Sequence, residues 1–313
     1  MMRDMRSYRT IRNAFLAAAA LSTLPSLIAQ QENQDSSRTK AIALEQQNQN
    51  AQAQQIWEAI AKTDPQNAEA FAHLGLLEAR QQHYDSAIDF YRRAAAINPD
   101  LPNLQMNLGL ALFKIEQFPD AVKSLSSELE KHPGDPRLTI LTGMAHYGMK
   151  DYLVAIPYLK RATERDPQSV SLRLTLAHSC LSSKQYQCVI EAHKEILALQ
   201  AESPEADLLA AEAFDQLGDS AKAAAAIQAA LSINPNVPNA HFALGYILWT
   251  QRKWTPAADA FQQELHIDPN HAQAQTWLAD SQQRLHQTAS NALPSPRPTS
   301  LQEMLESIES PTP

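Results

Sequence analysis

Glycine is scarce in this sequence, at 7 of 313 residues. Phosphate-binding loops depend on glycine because the backbone must approach the phosphate closely. Neither such a loop nor a G-x-S-x-G nucleophile motif is present. Ala, Leu, Gln and Glu abound, and no segment reads as a strand. The composition therefore predicts an all-α protein that is not an enzyme of these types.

Positive charge is also sparse. The formal net charge is −8, and residues 1–29 hold four Arg against one Asp, so the remaining chain carries −11. Lys and Arg are scattered at helix-surface spacing, which is typical of a solvated face, and they form no basic stripe. This distribution argues against nucleic acid as a partner.

Cysteine is limited to Cys180 and Cys188. Both lie in one predicted helical hairpin, on opposite arms, so a disulfide and a pair of small buried thiols are both open readings. Ten His are dispersed, and His266 and His271 have no Cys partner at metal spacing. The side chain of His178 could converge with those of Glu212 and Asp215, but the sequence cannot show it. We therefore predict no metal site, no cofactor and no catalytic residue.

Long apolar runs are confined to the N-terminal segment. Four Arg precede an apolar stretch at residues 14–29, and the polar run that follows makes Ala29 a plausible last residue before a cut. This pattern predicts an export signal over residues 1–29, with a periplasmic or extracellular mature protein. A membrane anchor formed by residues 14–29 and an organelle transit peptide are the alternatives. No later segment is apolar enough to span a bilayer.

Proline, by contrast, is plentiful and regular. Six prolines and one alanine stand 34 residues apart, without insertion or deletion: Pro65, Pro99, Pro133, Pro167, Ala201, Pro235 and Pro269. A fixed period of this size indicates one supersecondary unit copied along the chain. The units are 34–67, 68–101, 102–135, 136–169, 170–203, 204–237 and 238–271, with a capping helix at 272–287.

Each unit reads as helix, tight turn, helix and stop. Positions 8 and 20 of the unit are small, as in Gly245 and Ala257, which suits two helices that cross closely. Position 24 is usually large, as in Phe261, and we expect this side chain to wedge between adjacent hairpins. The proline at position 32 stops the second helix. Four units begin with proline, a residue that the first turn of a helix tolerates: Pro102, Pro136, Pro204 and Pro238.

Unit 238–271 carries Leu244, Gly245, Ala257, Phe261 and Pro269. This pattern resembles the tetratricopeptide repeat, and the resemblance covers residues 34–287. It implies a right-handed α-solenoid of tandem 34-residue helix-turn-helix repeats. It also implies that a protein or peptide ligand lies in a concave groove lined by the first helix of each unit. Units 34–67 and 170–203 depart most from the pattern.

Carried onto this sequence, the family's groove positions hold mainly apolar and aromatic residues with one acidic pair. They are Met106, Asn107, Leu110, Phe113, Ile140, Met144, Tyr147, Leu174, His178, Leu181, Glu212, Asp215, Phe242, Tyr246 and Trp249. Such a strip predicts a site for an amphipathic helix or an extended apolar peptide. The alternative is that much of it packs between neighbouring first helices. Asn107 alone fits the carboxylate clamp of some family members, so we do not expect that clamp.

Residues 288–313 form a distinct tail. Residues 288–298 are rich in Pro and Ser and read as a linker, and residues 299–310 place Leu301, Met304, Leu305 and Ile308 on one helical face. The tail could bind a partner, fold back into the groove or mediate self-association. A chance pattern in an unfolded tail is the other interpretation.

These observations together predict an exported protein–protein interaction scaffold, with assembly of a cell envelope as its setting. Two alternatives remain at this point. One is a self-assembling structural protein, and the other is a non-catalytic subunit that positions substrate for an enzyme.

Overall fold

The computed structural model describes residues 34–287. The predicted signal at 1–29 and the tail at 288–313 lie outside the described residues. Within the described range the chain forms 15 helices and no strand, which confirms the all-α tetratricopeptide architecture. None of these helices has the length and hydropathy that crossing a bilayer would require. The contacts divide the described residues into two compact units, with the boundary between His132 and Pro133. They are called the first unit and the second unit below, whereas each 34-residue unit is named by its range.

The first unit contains six described helices. They are α1 (34–46), α2 (Asn50–Thr63), α3 (Ala68–Arg80), α4 (Tyr84–Ile97), α5 (Leu104–Lys114) and α6 (Phe118–Lys131). From α2 onward each helix packs on the next, and the first helices α3 and α5 also touch.

The second unit contains nine described helices. They are α7 (Pro136–Gly148), α8 (Tyr152–Arg165), α9 (Val170–Ser182), α10 (Tyr186–Ala198), α11 (Pro204–Gln216), α12 (Ser220–Ile233), α13 (Ala240–Thr250), α14 (Trp254–Ile267) and α15 (Ala272–Gln287). Each helix packs on the next, and first helices also meet directly, α9 with α11 and α13 with α15.

The two helices of a hairpin cross at the small residue of position 8. A Cβ atom on Gly75 would lie 2.7 Å from the ring of Tyr91, and one on Gly245 would lie 2.6 Å from the ring of Phe261. Tyr91 and Phe261 are buried. The large residue at position 24 therefore fills its own hairpin, where it faces a residue that has no side chain, whereas the sequence predicted that it would wedge between adjacent hairpins.

The turns inside the hairpins share one strained residue. A positive φ recurs every 34 residues, at Asn48, Gln82, Glu116, Lys150, Lys184, Gly218 and Arg252. Only one of these seven residues is glycine, which takes this left-handed conformation without a steric penalty.

Helices that follow a proline begin in two different ways. Pro136 and Pro204 are the first residues of α7 and α11, as predicted, and the side chains of Asp135 and Ser203 cap those helices. For Pro102 and Pro238 the prediction was wrong, because α5 and α13 start two residues later. The preceding Leu101 and Val237 have no side-chain acceptor, so Asn103 and Asn239 become left-handed N-caps whose own side chains make no capping bond.

Unit 34–67, which departs most from the repeat pattern, is nevertheless helical from residue 34. Its α1 is attached through Glu45, a buried carboxylate. Trp57 Nε1 donates to Glu45 Oε1 over 2.6 Å, and His73 Nδ1 lies 2.8 Å from the same oxygen. The His73 and Trp57 rings are stacked with centroids 4.3 Å apart.

Unit 170–203 ends irregularly. The helix α10 stops at Ala198, one residue earlier in its repeat than the other second helices, and Gln200 adopts a φ of +55°. Ala201 stands here in place of the proline. An open cavity of about 490 Å³ lies beside this end, lined in part by Leu197, Ala201 and Ile233.

Candidate binding groove

Neighbouring first helices at the end of the second unit are joined by a contact from position 12 of one repeat to position 9 of the next. Trp249, at position 12 of its unit, donates from Nε1 to Asp280 Oδ2, at position 9 of the next, over 2.7 Å. Asp215 and Tyr246 occupy the same two positions one repeat earlier. Burial raises the pKa of Tyr246, and the neighbouring Asp215 carboxylate raises it further. The hydrogen bond between Trp249 and Asp280 therefore joins the first helices of neighbouring repeats.

Most of the predicted groove residues are half-buried. In the second unit Met144, Tyr147, Leu174 and Leu181 pack against one core cluster, and Tyr246 and Trp249 pack against another. Ile140, His178 and Asp215 are also half-buried. In the first unit Met106, Asn107 and Phe113 are half-buried, while Leu110 is 37% exposed. These side chains therefore keep part of their surface in solvent.

Two predicted groove residues are buried instead. Phe242 is 1% exposed, and its ring centroid lies 5.6 Å from that of Phe261 and 4.7 Å from that of His271. Glu212 is 7% exposed. Because α13 is apolar on every side, its sequence does not indicate which residues face solvent. Phe242 is therefore a core residue.

His178 links neighbouring first helices. Its Nε2 atom lies 2.6 Å from Glu205 Oε1 at the start of α11. The hydrogen bond to His178 outweighs burial and holds the pKa of Glu205 below its ordinary value. The histidine thus pairs with an acid that the sequence did not single out, and this pair ties α9 to α11.

Asp215 has a different environment. It lies on α11, half-buried, and its burial raises the pKa of its carboxyl group. Within residues 34–287, no hydrogen bond or ion pair to this carboxylate is observed. Asp215 is therefore a partly desolvated acid that its own fold leaves uncompensated.

An aromatic cluster that sequence reasoning missed closes the second unit. The Trp249 ring lies 5.6 Å from Trp254 and 4.6 Å from Trp277. The guanidinium carbon of Arg284 lies 4.7 Å from the Trp249 ring centroid, and its Nε atom donates to Asp280 over 2.6 Å. The available signal was the repeat itself, since Asp280 occupies position 9 of the incomplete last unit.

The structure joins Cys180 of α9 to Cys188 of α10 in a disulfide, with Cα atoms 5.8 Å apart. Over the described range, no group of three or more His, Cys, Asp or Glu side chains is arranged to hold a metal ion. The described groove combines aromatic and apolar surface with a few charged groups.

Comparisons with known proteins agree with this architecture. The family profile described as tetratricopeptide repeat matches residues 38–102, 106–186, 190–239 and 208–272, more than half of the chain. Small glutamine-rich tetratricopeptide repeat-containing protein 2 of Mycosarcoma maydis is 28% identical over 114 residues. That match covers 36% of this chain and 32% of the relative, so the chain spans only about a third of that relative's length.

Solved structures show the same fold at low sequence identity. The C-terminal part of a TPR repeat-containing protein from Cytophaga hutchinsonii is 16% identical, with a TM-score of 0.60 over 77% of this chain and 98% of that one. YrrB, described as a TPR protein with an unusual peptide-binding site, is 16% identical, with a TM-score of 0.51 over 57% of this chain and 92% of that one.

Proposed function

Because the chain belongs to the tetratricopeptide repeat family, we propose that it is an exported interaction protein whose first helices hold a peptide or a helix of a protein partner. Proteins of this family generally mediate protein–protein interactions. The groove and the export are each supported by a separate observation, and a role in envelope assembly is an extension of the proposed export.

The observation that carries the groove is the row of half-buried side chains on the first helices of the second unit. Tyr147, Leu181, Tyr246 and Trp249 each pack one side against the core and leave part of their surface in solvent. Rigid aromatic rings cover a large area at little entropic cost, which is why they dominate the energetics of many interfaces. The proposal is also supported by YrrB, a protein of the same fold that is described as having an unusual peptide-binding site.

Export is supported by the start of the sequence and by the cysteine pair. Residues 1–29 have the basic, apolar and small-residue order of a secretion signal. A disulfide such as Cys180–Cys188 persists in oxidising compartments and is rare in reducing ones. N-terminal sequencing of the protein from fractionated cells tests this claim, since export predicts a start at residue 30, and a retained Met1 in the cytosolic fraction would contradict it.

Selection from a displayed peptide library tests the groove. We expect peptides selected on the full chain to lose at least tenfold in affinity with the double change Tyr147→Ala and Tyr246→Ala. The matched control is Leu153→Ala with Val154→Ala, which removes exposed apolar side chains from the second helix α8. Equal losses in both variants would refute the groove.

Light scattering of the full chain and of a chain without residues 288–313 separately tests self-assembly.

A further inference from the structure

The acids of the groove differ in whether the fold supplies them with a partner. Glu205 lies 2.6 Å from His178, and Asp280 lies 2.6 Å from Arg284. For the Asp215 carboxylate, no such partner is found anywhere in the described part of the chain. Glu205 and Asp280 are thus paired within the described part of the chain, whereas the Asp215 carboxylate is not.

A half-buried carboxylate without a partner destabilises the protein that carries it. Burial removes part of its hydration, and no hydrogen bond or counter-charge from the described residues offsets that loss. An incoming cation would restore the missing interaction, because a charge-assisted hydrogen bond is stronger than one between neutral groups. The site is therefore energetically prepared for a positively charged ligand group.

The neighbours of Asp215 favour the same kind of ligand. Asp215 and Tyr246 occupy positions 12 and 9 of neighbouring repeats, the two positions that are joined one repeat later by the hydrogen bond between Trp249 and Asp280. The Asp215 charge also contributes to the raised pKa of Tyr246, and Trp249 follows Tyr246 by one helical turn. Aromatic faces attract ammonium and guanidinium groups. The same rings provide apolar surface for the flanking residues of a ligand.

The chain's own tail is a poor match for this acid. Residues 299–310 contain Glu303, Glu306 and Glu309 and neither Lys nor Arg. Placing such a segment beside Asp215 would bring like charges together in a partly desolvated site, which costs free energy. Charge complementarity therefore selects a partner of opposite sign over the tail.

We propose that the groove of the second unit binds a protein segment that places one Lys or Arg side chain on the Asp215 carboxylate, with apolar residues of that segment on Tyr246 and Trp249. This proposal rests on the proposed function and adds the charge of the partner. The other apolar residues of the groove then contact the segment on either side of its Lys or Arg and fix its position.

The peptide library provides the test. We expect binders selected on the full chain to be enriched in Lys and Arg. A selected peptide should lose at least tenfold in affinity when its basic residue is replaced by norleucine, which keeps the stem and removes the charge. With Asp215→Asn, the basic peptide and its norleucine form should bind equally. The control Asp259→Asn removes the same charge from an exposed site on α14 and should keep the preference.

The unfolding midpoint of Asp215→Asn shows whether misfolding could explain its binding behaviour. Since burial raises the pKa of Asp215, its ionised form is disfavoured by the fold, and Asp215→Asn should raise the unfolding midpoint near pH 7 while it abolishes the basic preference. Binders without enrichment in Lys or Arg, or a preference that survives Asp215→Asn, would overturn this proposal and leave the groove standing. A library that yields no binder would count against the proposed function and against this proposal with it.

Discussion

Glu264 is a buried acid with a structural role. It is 1% exposed, and its two oxygens accept from the backbone N–H groups of Asn239 and Phe242 over 3.0 and 3.1 Å. The helix α13 needs this bond because its left-handed N-cap makes no side-chain capping bond. A carboxylate is also favoured there by the partial positive charge at a helix N-terminus.

Replacing Glu264 with Ala should destabilise the protein by about 2–3 kcal/mol, because two N–H groups lose a charged acceptor. The measurement is the urea midpoint of unfolding followed by circular dichroism. Gln263→Ala, which truncates the exposed neighbour, should stay within about 0.5 kcal/mol of the parent. Indistinguishable midpoints for the two variants would contradict the capping role.

The repeat pattern contains a signal for this capping interaction. Glu264 and Glu128 occupy the same repeat position, and only the two units that start with Pro-Asn have Glu there. This signal could not be interpreted from the sequence alone, because Glu264 lies 22 residues from Phe242 and 25 residues from Asn239, the two residues whose N–H groups it binds. The environment of Asp215 was hidden for the same reason.

Glu45 makes the stability of the first unit depend on pH. Burial raises the pKa of Glu45, but the bonds from His73 and Trp57 lower it by more, so the net value lies below the ordinary 4.5. A lowered pKa in the folded state means that stability is complete above the ordinary pKa and falls as the pH drops through the folded one.

We therefore expect Glu45→Gln to destabilise the protein near pH 7 and to have a smaller effect at acid pH, once the pH has fallen through the lowered pKa of Glu45 and the parent has lost the ionised interactions as well. Urea unfolding of both proteins at the two pH values measures this difference. A penalty that is the same at both pH values would show that the charge of Glu45 does not matter.

A substitution in a hairpin turn is expected to raise the stability of the protein. Glu116 has a φ of +60°, and a left-handed backbone costs a residue with a side chain about 1–2 kcal/mol. Glycine avoids that cost but adds about 0.4–1 kcal/mol of chain entropy to the unfolded state. Glu116→Gly should therefore stabilise the protein by about 0.5–1 kcal/mol in chemical unfolding. Glu116→Ala, which keeps the strain, should not, and a gain in both variants would assign the effect to the lost side chain.

The crossing of the hairpin helices gives a prediction of opposite sign. A Cβ atom on Gly109 would lie 2.6 Å from Leu125 Cγ, so Gly109→Leu should overpack the crossing and cost about 1–3 kcal/mol. Ala279 occupies the same repeat position in α15 but is exposed. Ala279→Leu should therefore leave the thermal midpoint nearly unchanged, and an equal loss in both variants would be inconsistent with this packing.

Sequence reasoning succeeded for the hairpins because their determinants are local. The small residue at Gly75 and the stop at Pro99 recur at fixed spacing, and each acts within one repeat. It failed for Phe242 because α13 is apolar on all sides. It also missed Trp277, whose contacts with Trp249 join different units. The fold follows from distances within a repeat, whereas the groove depends on distances between repeats.

Within each compact unit the described helices form a series of neighbour contacts, because the interhelical contacts given above join helices that are adjacent or next but one in sequence. Repeat proteins of this kind lose cooperativity over distance, since the stability of a unit depends on itself and its neighbours. The damage from one overpacked crossing should then stay local.

Hydrogen exchange measures this locality. In Gly109→Leu we expect amide protection to fall in α5 and α6 and in the adjoining α4, because these helices meet at or beside the overpacked crossing. Protection in α11 to α15 should match that of the parent, since those helices belong to the compact unit that starts at Pro133. Ala279→Leu serves as the control with an unchanged pattern throughout. If the first variant instead lost protection evenly from α2 to α15, the chain would unfold as one cooperative body, and the stability of the groove could not be treated apart from that of the first unit.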